Sequence, residues 1–321
     1  MKKPKIYVLL AYQPFLQANK GDKINEINTY RILSENFDVY YNNRQFNYKD
    51  KKFFGTNPSD KISLPDKDYD LYYVRNNPKI FLELPHPKIY FALPNQQECF
   101  EVADGLVFPT RAWAEAMDDL SLGLDKIYSK EDFIPKQKIV FNQLCEPNGY
   151  AGNPKIKMLK KVFGNKFLIG HFGRVHSSNP PNPYVRRTNN EEILYVGSPR
   201  RIPWAKTLRF LRNSEVKYYI SACDAILYNQ DAQGEYCGSL KVMDALAAGV
   251  PIFTPRYKAR MDELGEDYPF YYDKEQLSSA FIRECVGKYP EIRNYLSERA
   301  KYFTLQESAK RYYEQLKPLI Q

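Results

Sequence analysis

Several things are scarce in this chain of 321 residues, and each scarcity excludes something. There are five cysteines (Cys99, Cys145, Cys223, Cys237 and Cys285), an odd number with no CxxC pair and no metal-type spacing. That pattern predicts free thiols in a reducing, cytoplasmic compartment, with neither a disulfide framework nor a cysteine metal site. Only three histidines occur, His86, His171 and His176. No stretch approaches the ~20 apolar residues that cross a bilayer. The apolar run Ile6–Ala11 is too short for a signal peptide and reads as a first strand. The loop behind it, Tyr12–Gly21, has no GxGxxG, so a dinucleotide fingerprint is absent. Internal repeats and low-complexity tails are also missing.

What is present is a well-filled two-domain chain. The apolar fraction is 43% and the aromatic fraction 15%, enough for packed cores. The net charge of +9 is unevenly placed. Residues 1–150 balance 20 basic against 20 acidic side chains, so the second half holds the whole excess. Within it, residues 155–217 carry 14 basic and 3 acidic groups. Solubility does not require such segregation, and a basic stretch attracts phosphates.

Short apolar runs alternate with helical periodicity along the whole chain, which predicts parallel α/β structure. Lys5–Ala11, a helix near Lys23–Asn36 and Phe37–Tyr41 form a βαβ opening. Further strands are expected at Tyr69–Val74, Lys88–Ala92 and Lys138–Phe141, with Ala103–Thr110 entering a helix at Arg111–Leu120. Asn42–Lys67 reads as a long loop or hairpin excursion. The loop Asn142–Pro154, rich in Asn, Pro and Gly, is the expected domain boundary. Beyond it come strands at Phe167–Phe172, Glu192–Gly197 and Asp224–Tyr228, and helices at Lys155–Phe163, Trp204–Arg212 and Val216–Cys223. A strand at Tyr268–Tyr272 and three closing helices complete the pattern. Asp66, Asp68 and Asp70 form a DxD-like series, but a carboxylate before a strand is also how a sheet is entered.

The most informative stretch is Gly234–Thr254, GEYCGSLKVMDALAAGVPIFT. It reads as loop, helix, turn and buried strand. Ser239 suits an N-cap and Gly249 a C-terminal glycine. Val242, Met243, Leu246 and Ala247 make the buried stripe. Lys241 and Asp244, three residues apart, fall on the polar face. A helix start with free N–H groups beside a lysine suits phosphate, and a nearby carboxylate suits a ribose diol.

K-x-x-D-A-L-A-A-G-V-P-I, Lys241 to Ile252, resembles the donor-site signature of GT-B glycosyltransferases, in particular the retaining group called family 4-like. In that group two glutamates are eight apart. Here Glu235 precedes Asp244 by nine, and the second acid is Asp. Gly173-Arg174 after Phe167–Phe172 resembles the family's G-R pair, whose arginine contacts the donor diphosphate; the lysine usual about five residues later is missing. Gly197 and Ser198 match the strand end near the nucleotide base. No histidine stands where such enzymes often place one, at Pro94-Asn95 here.

The resemblance implies an α/β fold of two Rossmann-like domains facing a cleft: 1–150 on the acceptor side, 151–305 binding the nucleotide sugar, and a helix over 306–321 crossing back. It implies glycosyl transfer from a UDP- or GDP-sugar, with retention and without a metal or other cofactor. Glu235, Lys241 and Arg174 would act in catalysis, and Gly173, Gly197, Ser198, Gly238, Ser239, Leu240 and Asp244 would hold the donor. The acceptor would be a glycan or a lipid-linked molecule. Two alternatives stay open, a DNA-modifying glycosyltransferase and a non-catalytic nucleotide- or sugar-binding protein. The neutral first half weighs against nucleic acid, and peripheral membrane contact also stays open.

Overall fold

A computed structural model describes residues 2–10, 21–46, 62–92, 98–116, 137–146, 152–173, 181–198, 200–228, 235–236, 238–273 and 277–320. The chain forms two compact units, Met1–Gln143 with Leu305–Gln321, and Leu144–Thr304.

The first unit is built on a seven-stranded sheet. Its elements begin with β1 (Lys5–Leu9), α1 (Gly21–Asn36), β2 (Asp38–Tyr41), β3 (Arg44–Gln45), β4 (Leu71–Val74) and α2 (Pro78–Glu83). Then follow β5 (Lys88–Phe91), α3 (Glu98–Glu101), β6 (Gly105–Phe108), α4 (Arg111–Ala116) and β7 (Lys138–Val140). The strand order is β3-β2-β1-β4-β5-β6-β7, parallel throughout except for β3, which turns back on β2 as a short hairpin. Ile6 to Leu9 and Leu71 to Val74 are buried at every position, as strands covered on both faces must be.

The second unit holds a five-stranded, wholly parallel sheet in the order β10-β9-β8-β11-β12. Its elements are α5 (Pro154–Val162), β8 (Phe167–Phe172), β9 (Glu191–Val196), β10 (Lys206–Leu208), α6 (Asn213–Ala222), β11 (Ala225–Leu227), α7 (Leu240–Ala248), β12 (Ile252–Phe253), α8 (Lys258–Leu264), α9 (Ser279–Lys288) and α10 (Ile292–Lys301). The closing helix α11 (Leu305–Leu316) returns to the first unit and packs on α1. There Gln315 binds both polar backbone atoms of Val140, and the Tyr312 hydroxyl donates to the Asn142 carbonyl.

One local device recurs in both sheets. The aspartate just before a strand donates its N–H to a carbonyl on the neighbouring strand and takes that same residue's N–H on its carboxylate. Asp70 does this with Lys5 (2.9 and 2.6 Å), Asp104 with Lys88 (2.8 and 2.8 Å) and Asp224 with Leu168 (2.8 and 2.9 Å). Each closed pair pins the register of adjacent parallel strands at their entry. It also gives the DxD-like Asp70 an occupation as a sheet clasp. Asp104 additionally holds His86 at 2.6 Å, so that loop histidine is tied down.

Two sequence expectations are corrected. The helix expected over 204–212 is absent, and Lys206–Leu208 pair in parallel with Leu194–Val196 as edge strand β10. Pro203 sits before this segment and β-branched Thr207 lies inside it, both adverse to a helix. Tyr268–Tyr272 contributes one bridge, Thr254 to Tyr271, instead of a strand. Residues 12–20, most of Asn42–Lys67, and Pro94-Asn95 lie outside the described residues. Cys99, Cys145 and Cys223 are free and buried.

Candidate functional site

In the second sheet the strand order reverses between β8 and β11, and the crevice beyond such a reversal is where open α/β sheets bind ligands. Two glycines shape the strand ends there. Gly173, just after β8, has a φ of +116°, and Gly197, just after β9, has +94°. A Cβ on Gly197 would come within 3.0 Å of the Gly173 carbonyl oxygen. A Cβ on Gly173 would lie 2.6 Å from the Lys241 ammonium and 2.8 Å from its Cε. Lys241 therefore occupies the space a side chain at 173 would fill.

Helix α7 delivers that lysine. Val242, Met243, Ala245 and Leu246 are its buried stripe, and Gly249, with a φ of +63°, closes it in a left-handed cap. Ser239 stands at the N-cap, but its hydroxyl does not cap the helix. Its backbone N–H donates instead to the Glu263 carboxylate at 2.7 Å. A carboxylate is the stronger acceptor, and an anion complements the helix dipole.

Glu263 is buried, and its second oxygen lies 2.5 Å from the guanidinium of fully buried Arg260. Burial raises the Glu263 carboxyl to about 7, against the downward pull of Arg260 and of the Ser239 N–H. The Arg260 guanidinium lies 4.9 Å from the centroid of the Tyr228 ring, and the Lys241 ammonium lies 5.3 Å from the same centroid. Two cations thus gather at the end of β11 around one buried tyrosine, with one buried carboxylate between the two helices. Burial, and then the Arg260 charge, lowers Lys241 to about 8. It remains mainly charged at neutral pH. Beneath it on β8, burial and then Lys241 push His171 down to about 3, so this imidazole is neutral. The ring lies 4.8 Å from that of Tyr195.

The remaining expected residues are placed as follows. Gly238 and Leu240 flank Ser239 at the start of α7, partly exposed. Ser198 is buried, and its hydroxyl donates to the Arg200 carbonyl at 2.7 Å. Glu235 is partly buried, and its carbonyl accepts from the Ala259 N–H at 2.8 Å, which ties the loop before α7 to α8. Among the described residues no ion pair joins Asp244 to Lys241. Asp244 turns toward α6, with Lys217 at 4.0 Å, and Lys217 also lies 3.9 Å from Glu146. Burial raises the Asp244 carboxyl to about 6, with Lys217 opposing. Arg174 lies outside the described residues. Among the described residues no group of three or more His, Cys, Asp or Glu side chains could hold a metal ion.

Arg260, Glu263, Tyr228 and His171 are the members that sequence reasoning missed. The available signal was Arg260 and Glu263 at i, i+3 on a short helix.

No family model matches the chain, and no curated protein matches it by sequence. Solved structures do match in three dimensions. Sucrose-phosphate synthase from Thermosynechococcus elongatus aligns over 98% of this chain and 99% of its own, with a TM-score of 0.66 at 9% identity. AviGT4, a glycosyltransferase involved in avilamycin A biosynthesis, aligns over 99% and 98%, at 0.57 and 12%. A mutant T4 phage BGT in complex with UDP-glucose aligns over 98% and 99%, at 0.55 and 12%. These likenesses show the fold, a mixed α/β chain with two parallel sheets that matches GT-B glycosyltransferase structures.

Proposed function

We propose that this chain is a GT-B glycosyltransferase that moves a sugar from a nucleotide-diphosphate sugar to a glycan or lipid-linked acceptor, with retention, without a metal, in the cytoplasm. The observation that carries the reading is the Lys241 ammonium seated on Gly173 at the strand-order reversal, with Arg260 beside it. Fixed cations at a water-poor strand end are worth most where negative charge develops. In glycosyl transfer that place is the departing diphosphate, as the bond to the sugar's anomeric carbon breaks. Lys241 and the start of α7 supply this charge, joined by Arg174. The reading thus assigns charge neutralisation to the chain's own groups.

The other roles follow from position. Gly173 and Gly197 keep the strand ends open to close backbone approach. Ser198, Gly238, Ser239 and Leu240 line the donor with backbone groups, with the Ser239 N–H already committed to Glu263. Asp244 takes the ribose hydroxyls, and Glu235 contacts the transferred sugar. The first domain, up to about residue 150, holds the acceptor. UDP-glucose bound to the phage relative supports a sugar nucleotide as donor.

The test is calorimetric titration of UDP, GDP, ADP and CMP into the wild type and Lys241→Met. One diphosphate binds in the micromolar range, and the substitution weakens it at least about tenfold, ~1.4 kcal/mol. Failure of all four to bind the wild type would overturn the reading. Slow hydrolysis of the matching sugar nucleotide separates an enzyme from a binding protein.

A further inference from the structure

Helix α5 buries one side and leaves an unusual other side. Ile156, Leu159 and Phe163 face the core, the i, i+3, i+7 spacing of an inward stripe. Beside that stripe, turned to solvent, stand Met158 and Val162, four residues apart, 56% and 65% exposed. Lys157 and Lys161 flank this pair on one side and Lys155 on the other, as 100° per residue places them. Lys160 falls nearer the core and is taken by Asp224 at 2.8 Å. Among the described residues no ion pair engages Lys157 or Lys161, while Lys155 reaches over the Tyr218 ring at 4.4 Å.

The surrounding sequence offers few acids to these lysines. Residues 155–217 contain only Glu191, Glu192 and Glu215 as acids. Glu191 is bound to Arg283 at 2.7 Å, and Glu215 accepts the Arg212 N–H. The face therefore combines unsatisfied positive charge with an exposed aliphatic pair set between the charges.

We infer that the outer face of α5 docks on an anionic lipid surface. A phosphate backbone of nucleic acid matches the lysines but gains nothing from methionine and valine. A bilayer interface uses both. The aliphatic pair enters the boundary between headgroups and acyl chains, while the lysine stems lie along it and their ammonium groups reach lipid phosphates. Among the described residues no helix is long and apolar enough to cross a membrane, and one short face of this kind gives reversible contact. The inference does not depend on the donor-site reading, and either can fail alone.

Sedimentation of the full chain with phosphatidylcholine vesicles, with and without phosphatidylserine, tests it. The wild type pellets with the phosphatidylserine vesicles only, and less so as salt is raised. Met158→Ser/Val162→Ser keeps the charge and still binds at least about tenfold more weakly, because the inserted area is gone. Lys157→Gln/Lys161→Gln weakens binding by a similar factor. Both pairs of positions are exposed, so thermal melting stays at the wild-type value and certifies folding. Absence of wild-type binding overturns the inference. So does a serine double variant that binds like wild type, which would mean adsorption by charge alone. Lysine-dependent binding to duplex DNA without binding to vesicles would assign the face to nucleic acid and overturn it equally.

Discussion

Gly173→Ala separates the two jobs that the strand-end glycine performs. Its φ of +116° lies where an L side chain is strained, so the substitution costs about 1–3 kcal/mol in the folded state. For a unit of this size that lowers the melting temperature by about 2–12 °C. The second effect is on Lys241. An ordinary contact begins near 3.4 Å, and the new Cβ would be 2.6 Å from the ammonium. The ammonium is the far end of a flexible chain, so it moves away at little energetic cost, but it leaves the place where phosphate is expected. Losing a charged hydrogen bond there costs about 1.5–3 kcal/mol, roughly ten- to a hundredfold in nucleotide affinity. Gly152→Ala is the matched control, since Gly152 has a φ of +86° and a Cβ there would meet nothing within 4 Å. It should lose stability and keep affinity. Melting curves and calorimetry on both variants read the two quantities. A Gly173→Ala protein that binds nucleotide like wild type, or a Gly152→Ala protein that loses binding as well, would refute the placement of Lys241.

Three further outcomes follow from the same geometry. Nucleotide affinity should hold steady up to about pH 8 and fall above it by up to about tenfold per pH unit, because Lys241, lowered to about 8, loses its charge there; titration against pH shows this, and a flat profile to pH 10 would count against Lys241 as the binding cation. Arg260→Met should destabilise the second unit, and increasingly so as pH rises through about 7. A carboxyl whose folded pKa lies above its unfolded value loses stability as pH rises between the two, and removal of Arg260 pushes the folded value of Glu263 higher still. Chemical unfolding at pH 5 and pH 9 measures the gap, and equal losses at both would contradict the buried pair. Asp224→Ala should cost about 1–3 kcal/mol by stranding the Leu168 N–H, with melting of the second unit as the readout and no change in nucleotide affinity.

Much of both units is legible in the sequence because the signals are local. A glycine after a helical stripe predicts a left-handed cap, and Gly249 forms one. An aspartate before an apolar run predicts a strand entry, and Asp70, Asp104 and Asp224 each clasp one. The illegible parts depend on distance along the chain. Glu263 caps α7 from 24 residues away, displacing the hydroxyl cap that Ser239 suggests by itself. The sequence gives no sign that Arg260 is buried; the ring of Tyr228, distant in the chain, and the carboxylate of Glu263, on the same short helix, close around it. Lys217 on α6 lies 4.0 Å from Asp244, a neighbour that the sequence of α7 does not show. Strand β10 escapes a sequence reading because three residues carry too little periodicity to oppose a helical pattern.

The charges at the end of β11 point in one direction. Arg260 is matched by Glu263, and Glu263 also answers the start of α7. Lys241 has Tyr228's ring and a glycine's backbone for company, which attract a cation far less than a carboxylate does. Burial, and then the charge of Arg260, lowers its pKa, so the fold holds the charged form at a cost. A methionine would pack there without the cost, and no strand or helix needs the ammonium. A lysine here, with a glycine at a strained φ making room for it, is the arrangement that the proposed reading completes with an anion. On the proposed reading that anion is the diphosphate of a sugar nucleotide, which a strand-order reversal beside a helix start suits.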